Sequence, residues 1–195
     1  MGKILIIAVI VVLVFVAIAG VSGYNRVVKL DQGVSQSWSQ VESQYQRRTD
    51  LIPNLVETVK GAANFEQETL TRVIEARAKA TQVTVTPEML NDPQALQRFE
   101  AAQGELSSAL SRLLVTVEKY PELKANANYL ALQDELAGTE NRIANERRRF
   151  TETVQTYNTA VKTFPMNMLA GMFGFQPKAY FEAQEGAEGA PKVNF

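Results

Sequence analysis

The sequence has no cysteine and no histidine among its 195 residues. The first absence excludes disulfides, thiolate nucleophiles and sulfur ligands, and the second removes the commonest general base and metal ligand near neutral pH. Di-metal sites built on Glu-x-x-His pairs are therefore excluded, and no residue pattern supports a carboxylate-only Mg or Ca site. An excess of charge is also lacking: 20 Lys and Arg stand against 21 Asp and Glu, a net charge of -1. Without a basic field the chain is not expected to bind nucleic acid. No motif aligns a nucleophile with a base or cradles a phosphate, so the expectation is no enzyme, no cofactor and no metal. The lack of cysteine does not fix the compartment. The length suits one domain plus an anchor.

What is present begins with an apolar run. Ile4 to Val21 is almost continuously hydrophobic and about long enough to cross a bilayer core of roughly 30 Å as a helix. Residues 1–23 are read as a single transmembrane anchor in the cell (inner) membrane. Ala17-Ile18-Ala19 before Gly20 has the form of a signal-peptidase site, so a cleaved signal is the alternative; apolar length favours a retained anchor. The positive-inside rule is nearly balanced, with the amino terminus and Lys3 opposing Arg26 and Lys29. The short head before Lys3 resembles an exported signal-anchor, which places the bundle outside the cytoplasm.

Beyond the span, residues 24–163 read as a long antiparallel four-helix bundle, an all-α fold with one N-terminal transmembrane helix. Val34, Trp38, Val41, Tyr45, Ile52, Leu55 and Val59 recur at spacings dominated by three and four along one seam of a first helix over 24–63. Pro53 interrupts it and predicts a kink or short break near Asp50 to Pro53. A second helix is expected over 66–81, begun by a capping-box-like Asn64 and Gln67. Residues 81–86 are a connection, and Asp92-Pro93 opens a third helix over 93–119. Its rows are Phe99, Leu106, Leu113, Tyr120 and Gln103, Leu110, Val117. A fourth helix is expected over 123–162, where Tyr129, Leu136, Ile143, Phe150, Tyr157 and Phe164 repeat every seven residues.

The run Gln46-Arg47-Arg48-Thr49-Asp50-Leu51-Ile52-Pro53-Asn54-Leu55-Val56, with Thr58-Val59-Lys60-Gly61, resembles the signature of LemA family proteins. Matches extend along the chain: Glu75-Ala76-Arg77, Tyr120 to Asn126, Tyr157-Asn158, Phe173-Gly174-Phe175 and Tyr180-Phe181-Glu182. The resemblance implies a membrane-anchored helical bundle of poorly defined biochemical role. It also implies, as a second reading, a regulatory subunit of a membrane metalloprotease, alongside the first reading of a scaffold or adaptor for membrane proteins. An unrecognised enzyme is the remote third.

Four groups of residues are candidates for function. Gln32, Gln36, Gln40 and Gln44 repeat every fourth residue beside Ser35, Ser39 and Ser43, a polar but uncharged side of the first helix. Solvated faces usually carry charge. With Ala19 and Gly23 as a small-xxx-small pair, this points to a homo-oligomer or another membrane partner, against a plain neutral solvent face. Arg48, Arg77 and Glu146 fall on predicted seams, and Arg48 is expected to pair with Glu146 if the first and fourth helices are antiparallel neighbours; drift of the seam would leave all three solvated. The segment 164–183 is apolar and returns to membrane level, giving Phe164, Met168, Met172, Phe173 and Phe175 as membrane contacts. Residues 184–195 read as a disordered tail ending in Pro191, Lys192, Val193 and Phe195, either an inert end or a peptide that a partner's groove captures by its terminus. Arg147 to Arg149 read as a solvated face, with Arg148–Glu152 and Arg142–Glu146 pairs, rather than a phosphate site.

Overall fold

The computed structural model describes residues 2–62 and 65–181, and every regular element among them is helical. These are α1 (Gly2–Lys60), α2 (Gln67–Gln82), a 3-10 turn (Pro87–Asn91), α3 (Pro93–Val117), α4 (Pro121–Lys124), α5 (Ala127–Lys162) and α6 (Met166–Met172). The span and the first bundle helix are one continuous element of 59 residues, about 90 Å long at 1.5 Å per residue. The apolar part up to Ala19 is exposed along its whole length, and burial begins at Val27. That apolar stretch is long and hydrophobic enough to cross a membrane.

Of the kink or short break expected near Asp50 to Pro53, the break does not occur: α1 stays helical through Pro53. Proline has no N–H, so the carbonyl of Thr49, four residues back, loses its helical partner. Arg77 Nε on α2 donates to that oxygen at 3.1 Å instead. At the start of α2 the N-cap is Glu66, with no side-chain cap bond, and Asn64 lies outside the described residues. The α3 start follows the sequence: the Asp92 carboxylate accepts from Gln94 N at 2.9 Å, with Pro93 in the first turn.

The fourth helix differs from expectation at its beginning. Instead of one element over 123–162, the chain makes the single turn α4 and restarts at Asn126, whose side chain accepts from the amides of Asn128 and Tyr129. That cap competes with helix continuation and wins, because asparagine bonds the backbone locally. The heptad row Tyr129, Leu136, Ile143, Phe150 and Tyr157 is buried throughout, whereas Phe164 lies beyond the end of α5 and is exposed.

Beyond the span, α1 packs antiparallel to α5, and the α2–α3 hairpin covers the half remote from the span. Ile52, Leu55 and Val59 of α1 form a core there with Leu70, Val73, Leu106, Leu113 and Leu136. Nearer the span a second core joins Val34, Trp38 and Val41 to Phe150, Val154 and Tyr157, closed by Val85, Leu90, Phe99, Ala170 and Phe181. Trp38 is its centre: its ring lies 5.4 Å from Phe99 and 5.2 Å from Phe150, and its Nε1 donates to the Val85 carbonyl at 2.7 Å. That bond and the burial of Val85 fix the irregular connection 83–86 to the core.

Candidate functional site at the base of the bundle

Where α1 emerges from its apolar stretch, α6 lies against it. Met166 Cε packs directly on Gly23, close enough that a Cβ there would make this flexible side-chain end move aside. The small-xxx-small pair Ala19 and Gly23 thus serves a contact within the chain at Gly23. One side of α6 turns inward through Met166 and the buried Ala170. The other leaves Met168 and Met172 exposed, Met172 at 80%, and Phe164 just before the helix is 79% exposed. Phe173 is also exposed, with its ring 4.9 Å from Tyr24, while Phe175 is half-buried and 5.7 Å from the same tyrosine. Four of the five side chains expected at the membrane are therefore exposed, Phe173 with one edge on Tyr24, and the fifth is partly packed. Between the span and α6 runs a groove of about 1150 Å³.

After Gly174, which takes φ +77, a conformation costly to other residues, the chain turns back up the bundle as an extended strap. Asn158 holds it with two bonds: Nδ2 donates to the Lys178 carbonyl at 2.8 Å, and Oδ1 accepts from the Lys178 amide at 2.8 Å. Tyr157 Oη donates to Gln176 O at 3.0 Å, and Ala179 N donates to Leu90 O at 2.8 Å. Lys178 Nζ pairs with Asp31 at 3.0 Å. Phe181 inserts beside Trp38 and Phe150, and the Arg147 guanidinium lies 4.1 Å above its ring. Burial, with Asp31 adding, pushes the Tyr157 phenol up to about 12. The segment expected to be uniformly apolar and membrane-proximal is thus two things, an exposed apolar step over 164–173 and a strap over 175–181.

The polar core has a different membership from the one expected. Arg48 is 1% exposed, and its partners are Glu140 Oε1 at 2.8 Å, Ser107 Oγ at 2.8 Å and Gln103 Oε1 at 2.5 Å. Glu146 is not among them. It lies six residues beyond Glu140, about 9 Å further along the helix, and pairs with Arg149 on its own helix. Arg142 likewise bonds Gln44 and Thr139 rather than Glu146, and Arg147 pairs with Glu100 at 2.5 Å. Arg77 is half-buried at Thr49. Burial pushes the Tyr45 phenol up, against the lowering effect of Arg147 and Arg48 nearby. Among the described residues no group of three or more carboxylates is placed to hold a metal ion.

On the neutral side of α1, Gln32, Gln36, Ser39, Gln40 and Ser43 are exposed. Ser35 is partly covered, with its hydroxyl on Asp31 O, and Gln44 accepts from Arg142 Nε at 3.3 Å. Ile4 and Val21 mark an exposed apolar helix surface. Pro191, Lys192, Val193 and Phe195 lie outside the described residues. Sequence reasoning placed Gln103 on an inward row and Asn158 and Phe181 in family-like runs but gave them no role, and it missed Glu140 and Lys178. For Asn158 a signal existed, an amide on the inward side of a heptad helix, which needs a fixed partner when buried.

Among known proteins, the LemA family model matches residues 37–195. Relatives include the magnetosome protein MamQ of Magnetospirillum gryphiswaldense, 26% identical over 181 residues that cover 85% of this chain and 66% of the relative. The magnetosome protein MamQ 2 of Paramagnetospirillum magneticum is 25% identical over 200 residues, covering 94% of this chain and 73% of the relative. Protein LemA of Metamycoplasma hominis is 24% identical over 161 residues, covering 83% and 69%. The match thus leaves about a quarter to a third of each relative's length unspanned.

Proposed function

We propose, from the premise that this chain belongs to the LemA family, that it is a non-enzymatic, membrane-anchored scaffold that self-associates and positions partner proteins close to the bilayer. The observation that carries this reading is the continuity of α1. A helix that passes from an apolar span into the bundle core without a loop fixes the bundle to its anchor rather than tethering it. Residues 22–60 reach about 58 Å beyond the span, enough to present a partner a few nanometres off the surface. The exposed, uncharged face Gln32, Gln36, Ser39, Gln40 and Ser43 supports self-association, since neutral side chains that both donate and accept hydrogen bonds can pair with their own copies without charge repulsion. In this reading the protein is single-pass in the inner membrane with its bundle outside the cytoplasm.

Because the chain contains no native cysteine, Ser39→Cys and Ser43→Cys report contact cleanly. Cross-linked dimers at these positions, and none at Gln97→Cys on the exposed side of α3, are expected. Equal yields at all three positions overturn the proposed face. Purification in gentle detergent followed by mass spectrometry is expected to recover membrane proteins in stoichiometric amounts. A membrane metalloprotease as the single stoichiometric partner moves the reading to a regulatory subunit, and recovery of no partner removes the scaffold. An impermeant thiol reagent on intact cells is expected to label Gln97→Cys; labelling only after lysis reverses the orientation.

A further inference from the structure

The groove at the base of the bundle has one wall from the span, including Phe15 and Ala19, and another from α6, including Met168 and Met172. Because the walls are shared, any medium that surrounds the upper part of the span also reaches the groove. Its floor at Phe15 lies six residues below Val21, about 9 Å, which is within the depth at which interfacial helices bury their apolar faces. Toward the bundle the lining becomes polar. Arg26 stands there. Over residues 20–30 and 159–177 the charged side chains are Arg26, Lys29 and Lys162, with no Asp or Glu. All three are exposed, and none makes an ion pair among the described residues. Glu152 is the acidic group lining the groove, on the α5 wall, and it is not paired with Arg26. An apolar slot whose lining carries one unpaired cation, Arg26, with Lys29 and Lys162 nearby in the chain outside the lining and Glu152 on the α5 wall, matches a molecule with an apolar chain and an anionic head. The volume of about 1150 Å³ exceeds the usual upper end for compact small-molecule pockets.

We propose that this groove seats one anionic phospholipid of the leaflet from which α1 emerges. An acyl chain lies between Phe15 and Ala19 on one side and Met168 and Met172 on the other, and the phosphate rests against Arg26, with Lys29 and Lys162 contributing to the local positive field. The exposed side chains of α6 stand in the acyl layer beside it. The inference rests on the membrane-anchor part of the function proposed above, but not on self-association or on any partner.

The test uses the full-length protein in vesicles of phosphatidylcholine with a minor fraction of phosphatidylglycerol. Met172→Cys carries a bimane label, Gln97→Cys is the control, and a nitroxide is placed on the upper acyl chain of either lipid. Both positions are exposed, so the variants keep the core intact, which circular dichroism verifies. Labelled phosphatidylglycerol is expected to quench position 172 several-fold more than position 97, and at least twofold more than labelled phosphatidylcholine does. Arg26→Gln is expected to erase the difference between lipids while retaining the quenching. Quenching at 172 no greater than at 97 overturns the proposal; if disulfide-linked dimers form at Met172→Cys in that case, a second copy occupies the groove. Equal quenching by the two lipids in the unmodified groove overturns the anionic seat. Partner recovery does not enter the readout, so failure here and failure of the scaffold reading are distinguishable.

Discussion

Arg77 Nε lies 3.1 Å from the carbonyl oxygen of Thr49, the oxygen that Pro53 deprives of its helical hydrogen bond. The bond lets α1 continue through a proline while tying α2 to the point where it would otherwise weaken. In chemical unfolding of the full chain in micelles, followed by the fluorescence of Trp38, Arg77→Met is expected to cost about 1 to 2 kcal/mol. With Pro53→Ala supplying an N–H to the same carbonyl, the cost of Arg77→Met should fall by about 1 kcal/mol. Additive effects of the two substitutions contradict the relationship.

Arg48 should be the most sensitive polar position. Its removal leaves Gln103 and Ser107 without their charged partner in a buried site, so Arg48→Ala is expected to destabilise by about 3 to 5 kcal/mol. Glu140→Gln should cost less, because that carboxylate retains access to water. A double-mutant cycle should give coupling of at least ~0.5 kcal/mol for Arg48 with Glu140 and none beyond error for Arg48 with Glu146. The reverse ranking would place the α1–α5 register elsewhere.

Asn158 tests the strap. Asn158→Leu removes both bonds to Lys178 and is expected to cost about 2 kcal/mol. Hydrogen exchange at the amides of Lys178 and Ala179 should accelerate while the amides of α2 and α3 stay unchanged. Unaltered exchange at Lys178 would mean that Asn158 does not hold the strap.

Alkaline pH should loosen the same region. The Tyr157 phenol is raised from 10.0 to about 12 in the folded protein, so the unfolded chain gives up its proton first. The folded state then binds more protons than the unfolded one between those values, and stability must decline as pH rises through that window. Below pH 10 the contribution is fully present. Tyr157→Phe should flatten the decline between pH 10 and 12, leaving the part due to Tyr45 and Tyr129, both also raised by burial, and to Lys79, raised by its bond to Glu105. An unchanged slope in the variant refutes the assignment.

The helices were legible because their side chains obey a period. The row from Tyr129 to Tyr157 marks the buried side of α5 without reference to any other element, and Asp92-Pro93 marks the start of α3 by local chemistry alone. Partners across helices were not legible, since periodicity fixes which side is inward but not the vertical register. That is why Glu146 suggested itself for Arg48 when Glu140 stands at the right height. The strap was hidden for another reason. An extended segment tied down by backbone bonds, as at Lys178 and Ala179, needs no pattern of its own side chains. At the base, the apolar character of 164–173 was visible in composition, but its docking rests on contacts between residues distant in sequence, Met166 on Gly23 and Phe173 beside Tyr24.

The unbroken run of α1 from Gly2 to Lys60 makes the molecule a lever. With no hinge between its two arms, rotation of the lower arm in a bilayer must be repeated by the upper one. Spans commonly lean by about 20° and lean further as the hydrocarbon layer thins; over about 58 Å of upper arm that angle carries Lys60 some 20 Å sideways. A change in bilayer thickness of a few ångströms would thereby be converted into lateral travel of the far tip, magnified by the length of the arm.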